Sequence, residues 1–413
     1  MRKPIQLSKE PLMVWVYPVD IRTTFNIAPR LEVTKEMRKL GWKVDLIAVG
    51  SDGRCLVEDV EVICLSRPEI YFVRHIFFHK RVISYILSRW REIDVVLFTQ
   101  ISALWLLPLR MLRMLTGDGP LMVMDTRTVP MESIDKSTFK EKVLARFYFF
   151  MNALANFSAD GQTAITQRMA DLLQIPTNKL WGTWASGVNL DIFSSARFYR
   201  HWPNEGEPIY IVYIGMLSRA RNLTTFCEAL MEANRHGMNF HLLVYGEGPE
   251  KTALEAIAQK SQGTIAVCAT VPHSQIPFIL ASAHIGVLPF PNEEKFKVSS
   301  PIKLFEYIGS GLPILATRIA CHTDVVGKDE YLFWAETADQ AGMLKALEEI
   351  WQKRSDLPNM SQKAWHAAQN WTYAASAKKL NEALLHGFAA CSGHVGKSPR
   401  HSNSPRLDGS KGI

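Results

Sequence analysis

The chain has 413 residues, of which 47% are hydrophobic and 21% charged, and its formal net charge is +7. This length and composition predict a globular protein of two domains, each with a large buried core. No stretch reaches the roughly 18 apolar residues of a membrane span, and the first apolar run is too short for a secretory signal, so we expect a cytoplasmic protein.

The first half of the chain alternates short apolar runs with helical patterns. The apolar runs, which predict β-strands, are LMVWVY, KVDLIAV, DVVLFT and PLMVMD. The helical patterns cover residues 30–40, 72–91, 101–115 and 138–157. Such alternation is typical of a parallel sheet covered by helices.

The second half repeats this alternation. Its strand patterns are IYIVYIG, FHLLVYG, TIAVCA, HIGVLPF and LPILAT. Its helical patterns lie near 222–236, 249–261, 273–283 and 301–308. The predicted fold class is therefore α/β, with two doubly wound, Rossmann-like domains that face a cleft. Ligands of such sheets bind beyond the carboxyl ends of the strands, so we expect the site in this cleft.

The pattern also predicts the limits of the domains. The stretch DIFSSARFYRHWPNEGEP is rich in proline and charged residues and lacks periodicity, which predicts a linker. The predicted segments are a first domain at 1–195, a second domain at 196–358, helices at 359–390 that pack back towards the first domain, and a disordered tail at 391–413.

Cysteine and histidine spacings do not indicate a metal site. The six cysteines, Cys55, Cys64, Cys227, Cys268, Cys321 and Cys391, are scattered without zinc-ligand spacing, which predicts free thiols and no disulfide. His75 and His79 have zinc-like spacing on one helical pattern, but no third ligand accompanies them, so we predict a surface location.

The stretch SSPIKLFEYIGSG has the signals of a helix with an exposed N-terminus. Ser300 is a candidate cap, Pro301 suits the first helical position, and Gly309 with Gly311 can end the helix.

The residues that follow Pro301 suit an anionic ligand. The amides of Ile302 and Lys303 would remain free at the start of the helix, where its dipole favours a diphosphate. Glu306 lies one turn further on. The alternative is a surface ion pair between Lys303 and Glu306.

This stretch, continued to SSPIKLFEYIGSGLPILAT, resembles the donor-binding signature of the family-four glycosyltransferases, which have the GT-B fold. Further segments resemble that family in the same order, including PRLEVTKEMRKLGWKVDLIAVG, MVMDTRTVP, WASGVNLDIF, YIGMLSRARNLTTFCEAL, LLVYGEGPEKTALEAIA and VPHSQIPFILASAHIGVLPFP. The resemblance covers about residues 12–388. It implies a retaining transferase that uses a nucleoside diphosphate sugar.

The resemblance also implies a donor site in the second domain. Glu306 would bind the ribose hydroxyls of the donor, and the arginines of the loop LSRARN would stabilise the departing phosphate. The predicted donor-binding residues are Arg219, Arg221, Gly246, Glu247, Ser300, Ile302, Lys303 and Glu306. The alternatives are a solvated basic loop and glycines that simply end a strand.

In the first half, Asp125 and Arg127 follow the strand pattern MVMD. The family often has polar residues here that orient the acceptor or the sugar, so these two are the predicted catalytic residues. The alternative is an Asp–Arg pair that locks a loop. His273 begins a helical pattern in the segment that lies over the base, and we predict a structural role for it.

Two positions depart from the family pattern. Met216 stands where the family often has an arginine, and Arg219 is a candidate substitute for it. Val298 stands where the family commonly has a glutamate that contacts the donor sugar. The chain also lacks an Asp-x-Asp motif, so no essential metal and no other cofactor are expected.

Residues 67–115 contain eight basic and three acidic residues among several aromatic ones. Arg74, Lys80, Arg81 and Arg89 in this stretch predict contact with an anionic membrane. The alternative is a helix whose aromatic side chains pack on its own sheet.

The sequence thus predicts a glycosyltransferase that acts on a glycan or lipid-linked acceptor in cell-envelope polysaccharide or glycolipid synthesis. Its expected partners are a nucleotide sugar, that acceptor and the inner face of a membrane, with no nucleic acid. A catalytically degenerate binding scaffold of the same fold remains an alternative. A dinucleotide-dependent oxidoreductase is a further one, although neither half carries G-x-G-x-x-G.

Overall fold

The computed structural model describes residues 8–21, 27–129, 139–328 and 330–392. These residues form two α/β domains, each built on one sheet covered by helices. The predicted fold class is confirmed.

The first domain has a sheet of eight strands. They are β1 (Leu12–Asp20), β2 (Lys43–Val49), β3 (Gly53–Val57), β4 (Val60–Leu65), β5 (Val95–Phe98), β6 (Leu121–Thr126), β7 (Gly161–Ala164) and β8 (Leu180–Thr183). Their order is β3-β4-β2-β1-β5-β6-β7-β8, and only β3 and β4 pair antiparallel. The four predicted strands are β1, β2, β5 and β6.

Helices cover both faces of this sheet. The first-domain helices are α1 (Ala28–Lys39), α2 (Tyr71–Ser88), α3 (Ala103–Thr116), α4 (Phe139–Ser158) and α5 (Gln167–Leu172). The apolar inner sides of α2, α3 and α4 share one buried cluster with one face of the sheet. The other face packs against α1 and against a helix from the end of the chain.

The rest of the chain forms the second domain and that final helix. Its strands are β9 (Ile209–Ile214), β10 (Phe240–Tyr245), β11 (Ile265–Cys268), β12 (Ile285–Leu288), β13 (Ile314–Thr317) and β14 (Leu332–Ala335). Its helices are α6 (Leu190–Phe193), α7 (Ala196–Tyr199), α8 (Leu223–Arg235), α9 (Lys251–Lys260), α10 (Ile276–Ala281), α11 (Glu294–Lys297), α12 (Ile302–Gly309), α13 (Ala320–Val326), α14 (Gln340–Gln352), α15 (Leu357–Ala368) and α16 (Tyr373–Cys391). The strand order is β11-β10-β9-β12-β13-β14, all parallel.

The last two helices belong to different domains. Helix α15 packs on α12 of the second domain, whereas α16 packs on α1 and β8 of the first. Gly387 of α16 lies directly against the indole of Trp181, where any Cβ would overlap the ring. The tail predicted to follow α16 lies outside the described residues beyond 392.

The prediction of an irregular linker near 191–208 is wrong, because this stretch is partly helical and anchored in the second domain. Helices α6 and α7 lie within it, and Phe193 is buried. The buried Arg200 guanidinium donates hydrogen bonds to the carbonyls of Leu280, Ala283, Ser310 and Gly311 at 2.7 to 3.0 Å. It thereby ties the C-terminal end of α10 to that of α12.

Two expectations about cysteine and histidine are wrong. Cys55 and Cys64 form a disulfide, because β3 and β4 are antiparallel neighbours and bring the two Cα atoms to 6.6 Å. His79 is buried rather than on the surface: its Nε2 lies 2.9 Å from Ser102 Oγ, and burial lowers its pKa to about 4.

Some of the basic and aromatic residues in and beside helix α2 are buried or ion-paired within the first domain. Phe78 is fully buried in the first-domain core. Arg89 binds Asp45 at 2.7 Å, and Arg81 pairs with Asp52. Lys80 is exposed on the outer side. The alternative in which aromatic side chains pack on the sheet therefore holds for part of the helix.

Candidate active site

The helix predicted to bind the donor is α12, which begins at Ile302 after Pro301. The prediction that Ser300 caps this helix is wrong, because its side chain faces the first domain. Ser300 Oγ accepts a hydrogen bond from the Ser186 amide at 3.1 Å, and Ser186 Oγ donates to the Ser300 carbonyl at 3.1 Å. Ser300 therefore fixes the start of α12 to the chain that leaves β8.

Lys303 extends from the first turn of α12 across Gly215 at the end of β9. Gly215 has φ of 147°, and a Cβ at this position would overlap the Lys303 side chain. Burial, together with the nearby Arg221, lowers the pKa of Lys303 to about 8. Its ammonium lies 5.7 Å from the centre of the Tyr213 ring, and no described residue forms an ion pair with it.

Glu306 pairs with a histidine rather than with Lys303. Its Oε1 lies 3.0 Å from Nε2 of His273, and its side chain is only 9% exposed. The alternative of a surface pair between Lys303 and Glu306 is therefore wrong. Within the described chain, Glu306 Oε2 accepts no hydrogen bond.

His273 lies in a short turn before α10, beside the ring of Phe193 at 5.6 Å. Burial disfavours its charged form, but the hydrogen bond and charge of Glu306 outweigh this and raise the pKa of His273. Glu32 and Glu58 of the first domain raise this pKa further. The partner of His273 could not be predicted from local patterns, because residues 273 and 306 belong to separate elements.

The two predicted arginines differ in position. Arg221 lies over the rings of Phe290 and Phe296, at 4.8 and 5.3 Å from their centres, and interacts electrostatically with Lys303. Arg219 is exposed and makes no side-chain hydrogen bond with the described part of the chain. Met216 is 59% exposed.

The glycine turn after β10 lies close to the loop after β9. A Cβ at Gly246 would overlap the carbonyl oxygen of Gly215, so only glycine permits this approach. Glu247 is exposed, and its carboxylate pairs with Lys251 at 2.7 Å. The turn therefore contributes backbone to the site, while the Glu247 side chain lies in a surface ion pair.

The two predicted catalytic residues in the first domain both contact Trp184. Asp125 Oδ1 accepts hydrogen bonds from Trp184 Nε1 at 3.0 Å and Thr163 Oγ1 at 2.8 Å. Arg127 lies with its guanidinium carbon 3.5 Å from the centre of the Trp184 ring and donates to the Trp184 carbonyl at 3.1 Å. Asp125 and Arg127 form no direct ion pair with each other. Each instead contacts Trp184, which connects the two side chains.

Burial shifts the pKa values of both Asp125 and Arg127 towards the neutral form. Asp125 is 1% exposed, and burial raises its pKa despite the opposing charge of Arg127. Burial likewise lowers the pKa of Arg127 to about 10. Asp125 therefore lies inside the domain, beneath Arg127 and Trp184.

Tyr373 at the start of α16 interacts electrostatically with residues of both groups. Burial raises its pKa, and Glu306 and Glu32 raise it further, whereas Arg127 opposes the shift. Tyr373 is therefore within electrostatic range of both Glu306 and Arg127. Sequence patterns did not indicate it, since it lies far along the chain from every motif.

Val298 forms part of the contact between the domains. It is 3% exposed and packs in a cluster with Val129, Ile165 and Met169 of the first domain. Thr166 Oγ1 donates to the Val298 carbonyl at 2.8 Å. An ionised glutamate side chain in this apolar position would lack a polar partner in the cluster.

Metal ligands are not grouped in the described ranges. No set of three or more His, Cys, Asp or Glu side chains there is arranged to hold a metal ion.

A comparison with protein families matches residues 208–353 to the glycosyl transferases group 1. A 2-deoxystreptamine glucosyltransferase of Streptomyces kanamyceticus is 26% identical over 128 residues, which are 30% of this chain and 32% of that protein. A GDP-mannose-dependent alpha-(1-6)-phosphatidylinositol dimannoside mannosyltransferase of Mycobacterium tuberculosis is 26% identical over 35% of this chain and 37% of that protein. The match thus spans about a third of the length of these relatives.

Solved structures match nearly the whole chain. Sucrose-phosphate synthase from Thermosynechococcus elongatus has a TM-score of 0.72 at 14% identity, covering 92% of this chain and 100% of that one. WaaG, a glycosyltransferase involved in lipopolysaccharide biosynthesis, has a TM-score of 0.66 at 15% identity, covering 89% and 98% of the two chains. These findings support the transferase interpretation over an oxidoreductase. Residues 208–353 are thus similar to the glycosyl transferases group 1, and the chain as a whole has the GT-B fold of these solved structures.

Proposed function

We propose that this protein transfers a sugar, with retention, from a nucleoside diphosphate sugar to an acceptor held by the first domain. The observation that carries the proposal is the pair of cations at α12. Lys303 and Arg221 lie close enough that the charge of Arg221 lowers the pKa of Lys303, and no described carboxylate forms an ion pair with either. Two such cations favour a bound anion, and a diphosphate would neutralise both.

The backbone around Lys303 also suits a diphosphate. The Leu304 amide bonds the Pro301 carbonyl at 3.0 Å, whereas the amides of Ile302 and Lys303 precede the first intrahelical bonds. Unpaired amides and the helix dipole both favour an anion at this end. Gly215 leaves room for the Lys303 side chain, which a larger residue would displace.

Glu306 is the proposed ligand of the donor ribose. His273 occupies its Oε1 and leaves Oε2 as the acceptor for a ribose hydroxyl. A carboxylate that is already oriented by one charged partner loses less freedom when it binds a second. His273 is thus a positioning residue that the sequence did not suggest as part of the site.

The proposed reaction breaks the bond between the anomeric carbon and the diphosphate oxygen. Negative charge then develops on the departing phosphate, where Lys303 and Arg221 would stabilise it. The acceptor hydroxyl oxygen attacks the same face of the sugar, and its proton passes to the departing phosphate oxygen. No protein nucleophile is needed. Because Asp125 lies inside the domain, we assign it the role of holding Trp184 and Arg127 in place.

The acceptor class is proposed from the relatives. One is named for a phosphatidylinositol dimannoside and one solved structure for lipopolysaccharide biosynthesis. We therefore propose a glycan or lipid-linked acceptor and a protein that works at the cytoplasmic side of a membrane. None of the described helices has the length and apolar content that a bilayer crossing requires.

A nucleotide panel tests this proposal. Melting temperatures measured with UDP, GDP, ADP and NAD should rise with at least one of the diphosphates, because a ligand of the native state stabilises it. The same nucleotide should fail to stabilise Lys303→Met. A shift with NAD alone would indicate an oxidoreductase, and a protein that binds none of the four would be a scaffold.

A further inference from the structure

Helix α3 of the first domain carries apolar side chains on the face turned away from its sheet. Leu106 and Leu109 are buried in the core, whereas Leu104, Met111 and Leu115 are 39%, 55% and 84% exposed. Positions 104, 111 and 115 recur at the spacing of one helix face. This face therefore remains apolar and in contact with solvent.

Helix α4 repeats the arrangement. Met151 and Ala155 are buried against the sheet. Val143, Phe150 and Phe157, seven residues apart, are 51%, 58% and 81% exposed on the outer face. Two exposed phenylalanines on one helix face are a large apolar area to leave in water.

These two faces form one surface, because α3 and α4 pack side by side. We call it the α3–α4 surface, made of Leu104, Met111, Leu115, Val143, Phe150 and Phe157. Extended apolar patches on a protein surface mark sites of interaction with another molecule or with a membrane.

The charge of the surrounding helices identifies the partner. Helices α2, α3 and α4 contain three, two and three basic residues, eight in all, and Glu141 is their one acidic residue. Arg110 and Arg113 are engaged with Asp160 at 2.8 Å. Arg146 is exposed on the outer face of α4, and no described carboxylate pairs with it.

We propose that the α3–α4 surface docks on an anionic lipid membrane. Phe150 and Phe157 would enter the boundary between headgroups and acyl chains, while Arg146 and Lys80 contact the lipid phosphates. A second copy of the chain would instead bring the exposed Arg146 and Lys80 towards like charges, which is unfavourable. This inference concerns attachment and does not depend on the transfer reaction.

Vesicle sedimentation tests the inference. The protein should sediment with vesicles of phosphatidylcholine and phosphatidylglycerol at low salt, and much less with phosphatidylcholine alone or at high salt. The double variant Phe150→Ser/Phe157→Ser should lose at least tenfold in binding. Arg146→Glu should lose about five- to thirtyfold, because each charge near the surface contributes modestly.

The matched control is Phe278→Ser, which removes a phenylalanine that is 72% exposed on the second domain. It should bind vesicles like the wild type. Melting temperature and nucleotide binding, measured on every variant, report folding separately. Equal sedimentation with both kinds of vesicle, or an equal loss in the control, would overturn the proposal. A concentration-dependent dimer that the double variant abolishes would assign the surface to a second copy instead.

Discussion

His273 Nε2 and Glu306 Oε1 lie 3.0 Å apart and join the turn before α10 to helix α12. Burial opposes the charge on His273, but Glu306 raises the pKa of this histidine above its ordinary value of 6.5. The pair therefore holds a buried carboxylate in one orientation while one of its oxygens stays available.

The first prediction concerns the pH dependence of stability. A raised folded-state pKa contributes stability that is complete below about pH 6.5 and is lost as pH rises through the higher folded value. His273→Gln should therefore lower the free energy of unfolding by about 1 to 2 kcal/mol near pH 6 and by less near pH 9. Urea denaturation at both pH values measures this. The exposed pair of His236 and Glu232 provides the control, and His236→Gln should show little effect. A pH-independent difference for His273→Gln would refute the ion pair.

The second prediction concerns donor affinity. Glu306→Gln keeps the size of the side chain but removes its charge, so affinity for the bound nucleotide should fall about ten- to a hundredfold. His273→Gln should cause a smaller loss, because Glu306 remains but is less well oriented. Calorimetry on both single variants and the double variant measures the coupling energy between His273 and Glu306 in nucleotide binding. Unchanged binding by folded Glu306→Gln would remove the donor assignment, and additive losses would remove the positioning role of His273.

The third prediction separates binding from stability at Lys303. Burial of the Lys303 ammonium, together with the nearby Arg221, lowers the pKa of Lys303 from 10.5 to about 8. Lys303→Met should therefore raise the free energy of unfolding by about 1 to 3 kcal/mol while nucleotide affinity falls at least tenfold. Wild-type affinity should also weaken between about pH 7 and 9 as Lys303 loses its proton. Lys353→Met, which breaks an exposed pair with Glu349, should change neither property. A destabilised variant that binds nucleotide normally would contradict the assignment.

The fourth prediction concerns Arg200. Arg200→Leu would leave four carbonyls without their donor, so the free energy of unfolding should fall by about 3 kcal/mol or more. Arg197→Leu is a suitable comparison, because Arg197 lies over the rings of Phe198 and Trp365 rather than beneath carbonyls. It should cost about 1 kcal/mol. Equal losses in the two variants would mean that the carbonyl contacts contribute little.

The fifth prediction concerns metal ions. Because Lys303, Arg221 and the start of α12 would supply the positive charge, turnover of the sugar nucleotide should continue in excess EDTA. Release of the free nucleoside diphosphate measures this. Complete loss of turnover that Mg²⁺ or Mn²⁺ restores would show that the mechanism needs a metal.

Much of the fold follows from local patterns. The predicted strands correspond to β1, β2, β5 and β6 and to five strands of the second sheet. They were predictable because buried parallel strands are short continuous apolar runs. The short strands β7 and β8 were not predicted, because their sequences GQTA and LWGT contain few apolar residues. The β3–β4 hairpin was not predicted either, although β4 (VEVICL) is largely apolar, and the pairing of Cys55 with Cys64 was missed with it.

The sequence predicted only those residues of the candidate site that lie together in one motif. Lys303 and Glu306 share a helix, so their spacing placed them together. His273, Trp184 and Tyr373 come from a turn, a strand end and the last helix, and only the tertiary fold brings them near the motif. Arg200 was predicted to lie in a linker, because the carbonyl groups that it binds are 80 or more residues further along the chain.

The return of α16 to the first domain determines the order in which the protein can fold during synthesis. The sheet of the first domain is complete on the ribosome once β8 has emerged, but one face still lacks Leu380, Leu384 and Phe388. These residues are translated only after the entire second domain. The nascent first domain must therefore wait with an uncovered apolar face, which gives chaperones a binding surface until the last helix arrives.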